Sequence, residues 1–213
     1  MYRRHTENTN LITIPACQYD GNYRLNGNHA MIDQYLRRTV QVMHQAVNDH
    51  RRVTMIRFDL RFPFWWDLEI YLYQTCISQF FNNLNYLLAR DSKGKGRPNK
   101  LRYVWCKEFG EENGRPHYHV AVMVNGDLYR PFGYYQLGMQ SLAGMIAMSW
   151  AHALGLWEIE AFGLVYFPSQ SAMSFSGGDY QSRSEVFRRL SYLSKVRSKS
   201  YGDGTRNFGY SLR

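Results

Sequence analysis

The stretch YVWCKEFGEENGRPHYHVAVMVN, residues 103–125, concentrates the side chains that can do chemistry. Alternate residues of a strand share a face, so His117 and His119 point the same way, followed by the small Ala121, while Tyr118, Val120, Val122 and Val124 point into a core. Two imidazoles on one open face can share a metal ion. Glu108 lies on the preceding strand near the turn, and folding a hairpin about residues 110–116, where Asn113-Gly114 is a reversal signal, brings its carboxylate to His117. Two imidazoles and one carboxylate, with coordination positions left for solvent or substrate, are the donor set of a catalytic metal site. A bare His-x-His is more often a surface feature. The apolar face behind this one, the glutamate at the matching end of the neighbouring strand and a basic loop upstream favour the metal.

The elements that must hold these residues follow from periodicity. Residues 1–28, rich in Asn, Tyr and Arg with Gly21 and Gly27 as breakers, read as an irregular arm, and 29–213 as a single domain without repeats. Helical spacing of apolar residues predicts helices over 31–47 and about 73–88, and again over 139–154, where Gly155 is a C-cap. Alternation predicts strands at 52–60, 101–109, 117–124 and 162–167. On the first of these Ile56, Phe58 and Leu60 face inward; Asp59 and Arg61 lie on the polar side, where they touch metal or DNA or form an ordinary surface ion pair. The Ser/Gly-rich run 169–178 reads as a flexible connection into a last helix, 181 to about 199. The fold class is therefore α+β: an antiparallel sheet of about four to five strands with helices packed on one face, ferredoxin-like in order.

Composition narrows the partners. A formal charge of +9 favours polyanions, and it is clustered: six basic residues against Asp91 in 90–102, and eight against Glu185 and Asp203 in 181–213. Lys93, Lys95 and Arg97 on the loop, and Arg188 and Lys199 near the end, are the candidate phosphate contacts, the alternative being a solvated loop and tail. Cys17, Cys76 and Cys106 are too scattered for a disulfide framework or a zinc pair, which suits a reducing cytosol. No apolar run approaches the roughly 18 residues needed to span a bilayer, and MYRRHTENTN lacks the apolar core of a signal peptide. The expectation is a cytoplasmic protein with no membrane partner. His44, His50 and His152 sit at helix positions that call for no more than a structural or solvated role.

The stretch KEFGEENGRPHYHV resembles the motif of HUH endonucleases, in which two histidines flank a hydrophobic residue and a polar residue on the adjacent strand completes a divalent-metal site. Its layout is similar to that of rolling-circle initiators of small DNA viruses, with the segment between Glu108 and His117 about one residue longer. The resemblance implies an HUH fold of the ferredoxin or RRM kind and a tyrosine nucleophile beside a basic residue. Tyr192-Leu193-Ser194-Lys195 meets that pattern. At about 100° per residue, a helix through this region would set Arg188, Tyr192, Lys195 and Lys199 on one exposed face and Val186, Leu190 and Leu193 on the other. A tyrosine among cations also suits DNA stacking or a plain surface position. Further, RRLSYLSKVRSKSYGDGTRNFGYS resembles the carboxy-terminal signature of the YagK/YfjJ family of prophage proteins, related to inovirus gene-II-type replication proteins; the likeness spans roughly 52–211.

What this implies is site-specific nicking and joining of single-stranded DNA, or of a DNA hairpin, at a replication origin in a bacterial host cell, in concert with a host replication helicase. Tyr192 would attack the scissile phosphate to give a 5′-phosphotyrosine and a free 3′-OH, with Lys195 stabilising charge and Mn²⁺ or Mg²⁺ on Glu108, His117 and His119; imidazole donors suit Mn²⁺ better. Two other readings remain. One is a non-catalytic DNA-binding prophage relic. The other is a cupin-like Fe(II) oxygenase, which would want an acid shortly after the second histidine, whereas the next is Asp127.

Overall fold

A computed structural model describes residues 3–15, 18–20, 23–27, 29–66, 70–110, 114–130 and 141–212. Cys17, Asn113 of the reversal signal and the predicted start of the third helix at 139 lie outside the described residues. In chain order the elements are β1 (Arg3–Arg4), β2 (Ile12–Ile14), β3 (Gln18–Tyr19), β4 (Tyr23–Arg24), β5 (Met31–Ile32), α1 (Asp33–Asp49), β6 (Arg52–Arg61), α2 (Ile70–Gly94), β7 (Arg102–Phe109), β8 (Pro116–Asn125), α3 (Leu142–Leu154), β9 (Val165–Tyr166), β10 (Ala172–Ser176), α4 (Tyr180–Ser191) and β11 (Phe208–Tyr210).

The fold is α+β, built on an antiparallel sheet in the order β10-β6-β8-β7-β11, with β9 also on β6. Strands β6, β7, β8 and the β9/β10 pair, with α2 and α3 as crossovers, follow the order of a ferredoxin-like βαββαβ unit. Alternation sorts the strands into two cores. Phe58, Leu60, Tyr118, Val120, Val122 and Val124 pack with α2 and α3. Val53, Met55, Val104, Cys106, Ala121 and Met123 pack with α1 and α4 on the opposite face. Helices therefore cover both faces, not one, and the face that carries His117 and His119 is open only at its end, since Ala121 is fully buried.

Three further segments differ from the sequence reading. The 169–178 connection contains β10, which pairs with Arg52–Ile56, and the 162–167 strand shrinks to β9 on Asp59–Leu60; Pro168, which lacks an N–H, separates the two. The first 28 residues are not irregular throughout: β1 and β2 form a small sheet with β5, and β3 pairs with β4. Tyr19 and Tyr23 lie with their ring centroids 5.8 and 4.6 Å from that of Phe187 on α4.

The last helix also ends early. It is capped at its start by Asp179, whose side chain accepts from the Ser182 N–H at 3.0 Å, but stops at Ser191, passes through one 3₁₀ turn at Tyr192–Ser194 and becomes extended at Lys195, ψ 144°. Tertiary partners take over its backbone. Asn26 N–H donates to Ser191 Oγ at 2.9 Å, Met31 bridges Lys195, and Val196 N–H donates to the Ala30 carbonyl at 2.9 Å.

The carboxy-terminal glycines and Asn207-Phe208-Gly209 have structural work. Asp203 and Thr205 hold the ammonium of Lys107, which is 1% exposed on the α2 face of the sheet. Phe208 stacks on Tyr35 at 4.4 Å, and a Cβ at Gly209 would lie inside van der Waals contact with the Trp105 indole. Gly209→Ala is therefore expected to destabilise the fold by about 1–3 kcal/mol, the usual cost of overpacking. Urea unfolding checks this, and an unchanged midpoint would show that the indole moves freely.

Candidate metal and tyrosine site

Strand β8 lies between β6 and β7, and the register sets Asp59 and Cys106 on either side of His119, and Arg61 and Glu108 on either side of His117. Directly opposed residues of an antiparallel pair share a face. Glu108, His117 and His119 consequently converge at the end of the second core, each offering a ligand atom within 4.8 Å of the others. Nε2 of His117 and Nε2 of His119 are 3.2 Å apart, and His119 Nε2 is 3.4 Å from Glu108 Oε2. Such edges suit three donors around one ion at the roughly 2.0–2.2 Å bond lengths of imidazole and carboxylate. The residues present fit a divalent cation.

Asp59 completes the arrangement. Its Oδ1 is 2.5 Å from His119 Nδ1, which fixes that ring and leaves Nε2 facing Glu108. The sequence reading left Asp59 between metal, DNA and a surface ion pair; it is a buried partner of His119, with the Arg57 guanidinium 3.7 Å away. Burial would weaken the charged form of His119, but the hydrogen bonds to Asp59 and Glu108 hold its pKa above the ordinary value. His117 is depressed by burial and by the neighbouring imidazole.

Glu108 is the most constrained residue of the group. Its side chain is 2% exposed and meets Lys195 Nζ at 2.9 Å and Lys199 Nζ at 3.1 Å, while Ser198 Oγ donates to it at 2.8 Å. Burial raises a carboxyl pKa, yet His119 and the two lysines hold Glu108 well below the carboxylate range. Ser198 adopts the left-handed conformation, φ 67°, uncommon for a residue with a side chain, as it turns its hydroxyl to the carboxylate.

Lys195 reaches further. Its Nζ donates to the Tyr192 hydroxyl at 2.7 Å, so one ammonium spans the phenol and the glutamate. The Tyr192 ring is half-buried, with the Arg57 guanidinium 5.5 Å from its centroid and the His119 ring 6.2 Å away. Tyr192, Lys195, Glu108, His117 and His119 thus come together. The exposed basic row does not exist as expected: with the helix ended at Ser191, Lys195 and Lys199 are buried on Glu108, and Arg188 pairs with Glu185 at 2.6 Å.

The basic loop is not part of the site either. α2 runs on to Gly94, so Lys93 sits in its last turn and not on a loop, with Lys95 and Arg97 just after it; all three are exposed near the start of β7, whereas Glu108 lies six residues further along that strand, roughly 20 Å away at strand rise. Among residues the sequence reading missed, Arg57 and Ser198 had no spacing signal. Buried His50, bonded to the Lys100 carbonyl at 3.0 Å, is structural as expected.

Residues 15–211 match the YagK/YfjJ C-terminal domain. The chain belongs to that family. It is 31% identical over 211 residues to the uncharacterized protein YfjJ of Escherichia coli strain K12, covering 91% of this chain and 98% of the relative. It is 32% identical over 201 residues to the uncharacterized protein YagK of the same organism, covering 87% and 96%. No solved structure matches. The match begins well before Arg52, the start expected from the sequence, and so takes in the amino-terminal segment that braces the end of α4.

Removing the Glu108 charge should be costly, because it strands two buried ammoniums. Glu108→Gln is expected to lose about 3–5 kcal/mol, and Lys199→Met in the same chain to recover part of it. The folded carboxyl lies below its ordinary 4.5, so its contribution is fully present above that pH and is lost as pH falls through the folded-state value. Wild type and Glu108→Gln should therefore converge in acid when denaturant midpoints are followed against pH; a constant gap would remove the ion pairs from the account.

Proposed function

We propose that this protein nicks and rejoins single-stranded DNA through a tyrosine nucleophile, as the HUH endonucleases that its hairpin resembles do. The observation that carries the reading is Lys195, whose ammonium lies 2.7 Å from the Tyr192 hydroxyl and 2.9 Å from Glu108 and so ties a candidate nucleophile to a candidate metal site. A cupin-like oxygenase has no use for that link. Asp127, the acid such an enzyme would need after His119, pairs instead with Arg52 at the far end of the sheet.

Glu108, His117 and His119 would hold Mn²⁺ or Mg²⁺, which when bound supplies Lewis-acid polarisation of a non-bridging phosphate oxygen. Tyr192 Oη attacks phosphorus as its proton leaves; the P–O3′ bond breaks and the 3′ oxygen ends protonated, leaving a 5′-phosphotyrosine. Lys195 is not the base. Burial would lower its pKa, but its bonds to Tyr192 and Glu108 raise it, so it stays an ammonium and stabilises the phenolate as that forms. The two carboxylates Asp59 and Glu108 already face three cations, Arg57, Lys195 and Lys199, an environment that welcomes a phosphate alongside a metal.

The partner is unpaired DNA or an origin hairpin, with a host helicase to supply it, and the setting is the cytoplasm of a bacterial host. Among the described residues no helix is long and apolar enough to cross a membrane. The purpose would be replication initiation of a phage-like element. A prophage relic that only binds DNA is the other outcome of the test.

Tyr192→Phe keeps the ring and removes only the attacking hydroxyl. It should retain DNA binding while abolishing cleavage and the covalent adduct, read by denaturing gel and mass spectrometry with Mn²⁺ and an oligonucleotide library. Cleavage that persists would indicate metal-activated water, and a nucleotide trapped on another residue would displace Tyr192. For the metal, Asp59→Asn should weaken Mn²⁺ binding about 10–100-fold in calorimetry by freeing the His119 ring; wild-type affinity would place the ion elsewhere.

A further inference from the structure

The sheet continues past the cluster on its β9 side, and its surface chemistry changes there. Tyr166 is opposite Asp59, which is opposite His119, so the tyrosine ring leaves the sheet on the same face as the cluster. Arg61 stands opposite His117 in the next row, and its guanidinium carbon lies 5.0 Å from the Tyr166 centroid. Beside it a cleft of about 320 Å³ is lined by Asp59, Arg61, Phe64, Arg115 and His117. Tyr166 is 47% exposed and Phe64 76%, and Trp65, 56% exposed, lies edge-on to Phe64 at 4.9 Å.

A single exposed ring is unremarkable. Here Phe62, Phe64 and two guanidiniums line one nucleotide-sized cleft that opens onto His117, and Arg61 links that lining to the Tyr166 ring. The carboxylate in its lining, Asp59, is turned to His119. The ligand that matches flat apolar faces interleaved with positive charge is an unpaired nucleotide, whose base stacks on rings or on a guanidinium plane while its phosphate meets cations. A duplex hides its base faces and cannot use them.

We propose that Tyr166, Arg61 and Phe64 form a base-stacking platform that receives single-stranded DNA next to the scissile phosphate. Two strand spacings, roughly 10 Å, separate the Tyr166 and His119 backbones, which places the platform under a nucleotide adjoining the phosphate. This rests on the nicking reading for the identity of the strand, but it concerns binding and needs neither metal nor cleavage.

The test is fluorescence anisotropy in EDTA with a labelled mixed-sequence oligonucleotide, single-stranded and annealed to its complement. Tyr166→Ala and Phe64→Ala should each weaken single-strand affinity by about tenfold, the scale of one lost base stack, and leave duplex affinity unchanged. Tyr166→Phe should bind as wild type, which separates stacking from a folding defect, and Arg61→Lys should lose affinity although its charge is kept. Unchanged single-strand binding in both alanine variants overturns the platform, as does an equal loss on single strand and duplex. Cleavage measured separately keeps the two readings apart. Binding that depends on the two rings without cleavage sinks nicking alone, whereas cleavage with affinity independent of both Tyr166 and Phe64 sinks the platform alone.

Discussion

A buried carboxylate has to be paired, and the way Glu108 is paired organises the rest of the molecule. Lys195 and Lys199 reach it from the segment after α4, and His119 reaches it from β8. Those contacts require the chain after Ser191 to leave the helix and cross the end of β7, where Phe109 N–H bonds the Ser198 carbonyl at 3.2 Å. They also require the sheet beneath to be rigid, which the two cores on its faces provide. Breaking such a pair costs more than forming it gains, so the ion pairs specify geometry more than they add stability.

The amino-terminal strands acquire a purpose from this. A short 3₁₀ turn holding Tyr192 has little internal stability, and it is braced from outside by Asn26, Ala30 and Met31. Tyr192 is therefore positioned by chain more than 160 residues away in sequence. Pre-positioning of this kind matters for attack on phosphorus, where small misplacement of a nucleophile is expensive.

Charge is divided between two regions with different tasks. Lys195, Lys199 and Arg57 are fixed by carboxylates inside the site, whereas Lys93, Lys95 and Arg97 are exposed at the far end of the sheet. Both runs look alike in the sequence. Cations held beside the reacting groups can stabilise a developing charge at one atom, while exposed cations remote from them, Lys95 being paired with Asp91 at 2.7 Å, can only raise local polyanion concentration.

What the sequence by itself determined is local. The pleat forces His117 and His119 onto one face, the hairpin turn brings Glu108 opposite His117, and a three-residue spacing keeps Tyr192 within reach of Lys195 whether the turn is α or 3₁₀. Tertiary structure decided what depends on strand order and long-range pairing. Asp59 and Arg57 join the cluster only because β6 lies beside β8, a neighbour relation that no periodicity encodes. Likewise β10 and β11 become strands because they find open sheet edges, and the last helix ends early because backbone and ion-pair partners distant in sequence outweigh its helical propensity.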